Sequence, residues 1–183
     1  MKISHLDIGT IPNEAILLML GRRKSGKSVN IANIMYAKKD CFEFGLVFCG
    51  SMATRLDYEK MVPKRFIYDS INVTVLEKLI AMQERDVLAG VAKNVFIIID
   101  DCAFESRTLR SKTMQKLFFN GRHYKCFLVI SLQFSLGLIP ALRGQIDYVI
   151  CSMEKNPAYR KRVYEHYSVC FETFKSFDKC FVE

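Results

Sequence analysis

Five stretches of almost continuous apolar residues mark out the chain, each bounded by polar or glycine-containing segments. They are ILLML at 16–20, FGLVFC at 44–49, VFIII at 95–99, FLVIS at 127–131 and YVIC at 148–151. Runs of this length without polar alternation read as strands covered on both faces. A shorter stretch, Phe66-Ile67-Tyr68, reads as a strand at a sheet edge. Helical spacing appears between them. Residues 29–37 form one such segment. From 73 to 88, apolar side chains recur at Val73, Leu76, Leu79, Ile80, Val87 and Leu88, with Gly90 as a stop. Residues 109–121 and 156–167 form two more, and 138–143 suggest a short turn of helix. Residues 51–64 are polar and irregular, closed by Pro63.

Strands that alternate with helices predict an α/β fold, a mostly parallel sheet with helices on both faces. Right-handed crossovers gather the strand C-termini on one edge. The loops after Leu20, Ile99 and Leu132 then fall together and can meet at one ligand.

The loop after the first run carries specific chemistry. Gly21-Arg22-Arg23-Lys24-Ser25-Gly26-Lys27-Ser28 fits G-x-x-x-x-G-K-[ST] at every fixed position. That pattern cradles a polyphosphate on backbone N–H groups, which only a glycine-rich turn can point inward. Lys27 is placed to reach the β- and γ-phosphates of ATP, and Ser28 to put its hydroxyl on Mg²⁺. A basic loop matching by chance is the alternative, but strand–loop–helix is the context the motif demands, and it is present here.

The run at 95–99 ends in Asp100-Asp101. An acid held rigidly at the tip of a buried strand suits Mg²⁺, and Asp100 is assigned that role. Asp101 is assigned to polarise the attacking water, with Glu105 as a rival base. Gln133, directly after the 127–131 run, is positioned to sense the γ-phosphate. Two arginines could complete a neighbouring subunit's site as a finger: Arg122, read as lying beside the cradle edge, and Arg143 in reserve. Each alone is also compatible with a solvated surface arginine.

At 183 residues, half of them hydrophobic, the chain is expected to be one folded domain spanning 1–183. The formal charge of +8 suits a polyanionic partner. Seven cysteines, an odd number without a C-x-x-C pair, mostly sit in apolar surroundings and read as free thiols of a reducing compartment. No signal-peptide core precedes the first strand, and no apolar run approaches the length of a membrane span.

Taken together, Gly21 to Ser28, Phe96 to Cys102, Asn120-Gly121-Arg122-His123 and Val129 to Gln133 resemble the poxvirus-type genome-packaging ATPases of large DNA viruses, within the FtsK/HerA superfamily. Ile139 to Arg143, Asp147-Tyr148-Val149 and the Tyr159 to Tyr167 segment are also similar, so the match runs from about residue 14 to 167. The resemblance implies a RecA-like P-loop sheet with the Gln133 strand between the cradle strand and the acid strand. It implies ATP hydrolysis that drives double-stranded DNA into a capsid. The implied assembly is a homo-oligomeric ring, pentamer or hexamer, docked to capsid or portal-site proteins in the host cytoplasm, the virus factory or the virion. Two departures stand out: many members carry Glu where Asp101 stands, and the chain ends soon after the core, as if a C-terminal portion were absent or reduced. For DNA, Arg107, Arg110 and Lys112 are the chosen contacts, because the acid strand's following loop couples them to the metal site. The Lys155, Arg160, Lys161, Arg162 cluster reads as the solvated side of a structural helix. A nucleotide kinase, a regulatory GTPase (for which no Asn-Lys-x-Asp reader is present) or a nucleotide-clamped assembly module are the competing readings.

Overall fold

Apolar runs without a polar face must be covered on both sides, and they are. The computed structural model describes residues 5–102, 106–133, 137–168 and 170–182. Six strands pair in parallel: β1 (Ile16–Leu20), β2 (Phe44–Cys49), β3 (Ile67–Tyr68), β4 (Val95–Asp100), β5 (Cys126–Leu132) and β6 (Tyr148–Cys151). Their order across the sheet is β3-β2-β4-β5-β1-β6. Strands β1, β4 and β5 are buried at every position, while the edge strands β3 and β6 are half-buried throughout. β5 lies between β1 and β4, the order the family resemblance implies. The register aligns the tips: Leu20 pairs with both Leu132 and Cys151, and Cys49 pairs with Asp100.

Successive strand residues point to opposite faces and so build two cores. One combines Leu17, Met19, Val47, Ile98 and Val129 with Ile31, Ile34 and Met35 of α1 (Lys27–Ala37) and Tyr58 of α2 (Met52–Tyr58). The other joins Leu18, Leu20, Phe48, Ile97, Ile99 and Ile130 to α3 (Val73–Leu88), α4 (Ser106–Leu109), α5 (Lys112–Asn120), α6 (Pro140–Arg143), α7 (Pro157–Tyr167) and α8 (Phe174–Val182). Burying each large aliphatic side chain contributes roughly 1.5–3 kcal/mol. The helix ends have local causes. The Asn72 side chain accepts from Val75 N, and Gly90 closes the segment at φ +71. Ser111 accepts from Met114 N, and Asn156 from Ala158 N ahead of Pro157 at the first turn.

Three elements differ from the sequence reading. Residues 51–64 are not irregular, since α2 occupies Met52–Tyr58. Met52 and Leu56 are exposed there and only Tyr58 is buried, so no apolar stripe advertised the helix. The 109–121 segment is preceded by α4 and interrupted at Ser111, whose cap starts α5. The segment at 156–167, the last element read from the sequence, is followed by a further helix. Helix α8 adds Phe177, buried against Phe171, Phe174, Phe181 and Tyr164.

Gly45 pairs across the ladder with Phe96, and a Cβ there would overlap the Phe96 ring. Gly45→Val is expected to destabilise by about 1–3 kcal/mol in denaturant unfolding, with partial recovery in the Gly45→Val, Phe96→Ala double variant. None of the seven cysteines is in a disulfide; Cys170 is exposed and Cys49, Cys102 and Cys126 are buried. Burial pushes the Cys49 thiol up to about 11 and the Cys126 and Cys151 thiols up to about 12. In the unfolded chain these groups deprotonate near their ordinary value of 9.0, so above it the unfolded state binds fewer protons and stability falls as pH rises. Unfolding midpoints should therefore decline from pH 9 upward, and Cys126→Ala should flatten that decline.

Candidate functional site at the strand tips

The chain leaves β1 through a turn that only glycine fits. A Cβ on Gly21 would stand 2.5 Å from Ser25 Oγ and 2.7 Å from Ser152 Oγ. Gly21 N donates to Leu132 O across the tips at 3.3 Å. Lys24 at φ +59 and Gly26 at φ +86 then reverse the backbone into α1. Gly26 is the N-cap and offers no side-chain acceptor, so the first-turn N–H groups lack a side-chain cap. Uncapped N–H groups at the positive end of an eleven-residue helix suit an anion. Lys27 Nζ bends back over the loop and donates to Gly21 O at 2.7 Å and Arg22 O at 2.8 Å. Burial lowers the Lys27 pKa from its ordinary value, against the opposing pull of Asp100 and Asp101. That pull places both carboxylates in the electrostatic field of Lys27.

Asp100, 2% exposed at the tip of β4, is the hub of the arrangement. Its Oδ2 accepts from Ser28 Oγ at 2.8 Å and from Tyr58 OH at 2.9 Å, and its Oδ1 from Ser131 Oγ. Burial, then the neighbouring Asp100, raises the Tyr58 hydroxyl's pKa and keeps it a donor. Asp101 follows at φ +54, a left-handed conformation unusual for a residue other than glycine. It is held there from two sides: Asp101 N donates to Ser131 Oγ at 3.3 Å, and Asp101 Oδ1 accepts from Gln133 Nε2 at 2.7 Å. Strain of this kind, of order 1–3 kcal/mol, clusters at functional sites. Ser28, Asp100, Asp101 and Gln133 are thus joined into one network, as the shared edge led one to expect. Glu105 lies outside the described residues.

Tyr58, Ser131, Ser152, Glu154 and Tyr159 were missed. Ser131 was visible as the one polar residue inside an apolar run, one residue from the strand tip. Tyr58 sat in the segment read as irregular. The segment after β6 lies directly on the loop. Ser25 Oγ donates to Ser152 Oγ at 3.1 Å, and Ser152 N donates to Leu20 O at 2.8 Å. Glu154, with its side chain 3% exposed, pairs with Arg22 at 2.7 Å. A cleft of about 400 Å³ opens beside it, lined by Arg22, Arg23, Gln133, Asn156, Tyr159 and Arg162.

The other sequence candidates lie apart. Arg122 is not beside the loop. It binds Asp147 Oδ1 at 2.6 Å, whose Oδ2 accepts from Ile16 N at 2.9 Å, so it stands where β1 begins. In a parallel sheet a residue that precedes a strand lies at the edge opposite the one that follows it. The seven residues of β5 therefore separate Arg122 from Gln133 by about 23 Å. Arg143 is half-buried at the end of α6, its Nη1 without a hydrogen-bond partner, and its charge counters the upward shift that burial gives the Tyr167 hydroxyl. Arg107, Arg110 and Lys112 are exposed and form no ion pair among the described residues. Arg160 is not on a solvated face: it is buried, bridges Asp178 at 2.5 Å and donates to Glu154 O and Lys155 O.

Among the described residues no cluster of three or more His, Cys, Asp or Glu side chains could hold a metal, and no helix is long and apolar enough to cross a membrane. The all-parallel six-stranded sheet and the glycine loop at its strand tips define a P-loop NTPase fold. The chain belongs to the family of the uncharacterised viral protein 088R of invertebrate iridescent virus 3, with which it is 31% identical over 98% of its own length and 73% of that protein's. Protein 075L of invertebrate iridescent virus 6 is 29% identical, over 88% of this chain and 64% of its own. The chain thus spans about two thirds to three quarters of these relatives. No family model matches. In fold it is similar to B204, the DNA-packaging ATPase of Sulfolobus turreted icosahedral virus, with a TM-score of 0.66 and 21% identity over 92% of this chain and 86% of that one. B204 of Sulfolobus turreted icosahedral virus 2 in complex with ATP-γS gives 0.66 at 17% identity, covering 92% and 87%.

Removing Asp100's side chain leaves the Tyr58 and Ser131 hydroxyls buried without their acceptor. Asp100→Ala is expected to cost about 2–4 kcal/mol in urea unfolding, whereas Asp100→Asn, which keeps one acceptor oxygen, should cost clearly less.

Proposed function

We propose that the chain is an ATPase whose hydrolysis moves double-stranded DNA during viral genome packaging. One observation carries the reading: residues from three strand tips and one helix N-terminus converge, with Ser28 on Asp100 and Gln133 on Asp101, next to a loop shaped for phosphate. Packaging is suggested by the likeness in fold to B204, a viral DNA-packaging ATPase, and by the viral origin of the relatives.

In this reading the backbone of Gly21, Arg22, Arg23, Lys24, Ser25 and Gly26 wraps the β-phosphate of ATP, and Lys27 exchanges its two carbonyl partners for phosphate oxygens. Ser28 and Asp100 offer an oxygen-only donor pair, which fits Mg²⁺, a cation that takes one or two protein oxygens together with phosphate and water. Bound there, it would neutralise phosphate charge. Asp101 orients a water and takes its proton as the oxygen attacks the γ-phosphorus. The bond to the β-phosphate oxygen breaks, leaving ADP and inorganic phosphate. Gln133, already on Asp101 Oδ1, reports whether the γ-phosphate is present. Arg122 lies too far to serve its own site, so its proposed role as a finger is in trans, in a ring of copies, with Arg143 in reserve. Arg107, Arg110 and Lys112, exposed and without an ion pair among the described residues, follow β4 closely in sequence and are proposed to grip DNA phosphates without reading bases.

The test is ATP hydrolysis with and without double-stranded DNA. Stimulation by DNA is the expected result, while phosphotransfer to a small acceptor with indifference to DNA would favour a kinase. Lys27→Ala should abolish turnover and weaken ATP binding. Asp101→Asn should bind ATP and fail to hydrolyse it, and parent-like rates would remove Asp101 from its role. A finger supplied in trans is worth about 10³–10⁵ in turnover. Arg122→Ala and Lys27→Ala subunits, each inactive alone, should recover activity when mixed. No recovery in proven mixed rings would end the trans assignment.

A further inference from the structure

Two side chains on one short segment hold the two halves of the site, and neither belongs to the motifs. The segment runs from the end of β6 into α7. At its start, Glu154 is a buried carboxylate. Its Oε1 accepts from Asn156 N at 2.9 Å. Its Oε2 receives no hydrogen bond and is compensated by Arg22 Nε at 2.7 Å, on the phosphate loop. A buried carboxylate without a countercharge is costly, so Glu154 fixes where the first turn of that loop can lie. Five residues on, Tyr159 OH donates to Gln133 O at 2.8 Å. Burial pushes this hydroxyl up to about 12, so it remains a donor at working pH. Gln133 in turn donates to Asp101. Arg160 locks the segment from behind, donating to the Glu154 and Lys155 carbonyls while paired with Asp178 of α8.

We propose that residues 154–159 form a clamp that sets the spacing between the phosphate loop and the Gln133–Asp101 pair, with Glu154 and Tyr159 as positioning residues for hydrolysis. The inference rests on the ATPase reading above and deepens it. Tyr159 acts through Gln133 on the residue that orients water, a contact that matters only as the reaction proceeds. Glu154 acts through Arg22 on the loop that binds phosphate, a contact that matters on binding. The two residues should therefore fail in different ways.

Tyr159→Phe removes one hydroxyl and keeps the ring. Its kcat for ATP should fall by about tenfold or more with KM within about threefold, because small displacements of a water-orienting group are costly to turnover. Glu154→Gln keeps an acceptor for Asn156 N and loses the ion pair. Its KM should rise by about fivefold or more with kcat within about threefold. A purely structural role would shift kcat and KM together in both variants, along with the melting temperature, and that pattern would overturn the clamp, as would a parent-like kcat in Tyr159→Phe. Hydrogen exchange in the nucleotide-free protein separates this inference from the function it rests on. Tyr159→Phe should speed exchange in peptides covering Gln133 and residues 152–159 while leaving α3 as in the parent. If the parent does not hydrolyse ATP, the ATPase reading falls, and the clamp stands or falls on that exchange alone.

Discussion

A carboxylate placed inside an apolar sheet must be met by donors, and the site grows from that constraint. Asp100 terminates a strand whose other residues are all apolar, and it is as buried as they are. Left without donors it would carry the full desolvation cost of a buried charge. Three hydroxyls answer it: Ser28 from the start of α1, Tyr58 from the end of α2 and Ser131 from the adjacent strand. Those hydroxyls come from both helices on one face and from the middle of the sheet. Satisfying one charge therefore fixes α1, α2 and β5 relative to β4. Ser131 also receives Asp101 N, which ties the strained residue to the same anchor.

Parallel register turns this local requirement into a site. Because Cys49 pairs with Asp100 and Leu20 with both Leu132 and Cys151, the strand tips line up and the loops that follow share one edge. Glycine then permits close approach. Gly21 lets the Ser25 and Ser152 side chains pack where its own would be, and Gly26 lets the chain turn into α1 without a capping side chain that would compete for the helix's N–H groups. The tension between an αL aspartate and its rigid neighbours is sustained by Gln133 and Ser131, not by the loop itself.

Much of this could be read from residue order. The apolar runs located the strands because strands covered on both faces need no polar alternation, and the glycine-lysine-serine spacing marked the loop because backbone geometry dictates it. Asp100, Asp101 and Gln133 followed from a topology in which residues after strands share an edge. The same rule was misapplied to Arg122, which precedes a strand and so stands at the other edge. Helix α2 was hidden because its sole buried side chain, Tyr58, leaves no periodic stripe. Helix α8 was overlooked although Phe174, Phe177 and Phe181 repeat at helical spacing. Glu154 and Tyr159 could not be found by pattern at all. Their contacts span more than a hundred residues in one case and 26 in the other, and nothing in a lone Glu or Tyr announces a partner that distant.

The placement of Arg122 has a consequence for how such a molecule can work. Its guanidinium is held by Asp147, which also accepts from Ile16 N, so it is part of the base from which β1 rises. The proposed phosphate loop is at the top of the same strand. Any arrangement that brings one copy's base to another copy's tips joins the two ends of β1 through an interface, and the strand between them is buried at every position and unable to bend without opening the core. In such an arrangement a rigid strand with an arginine at one end and a glycine loop at the other would transmit displacement between copies with little loss.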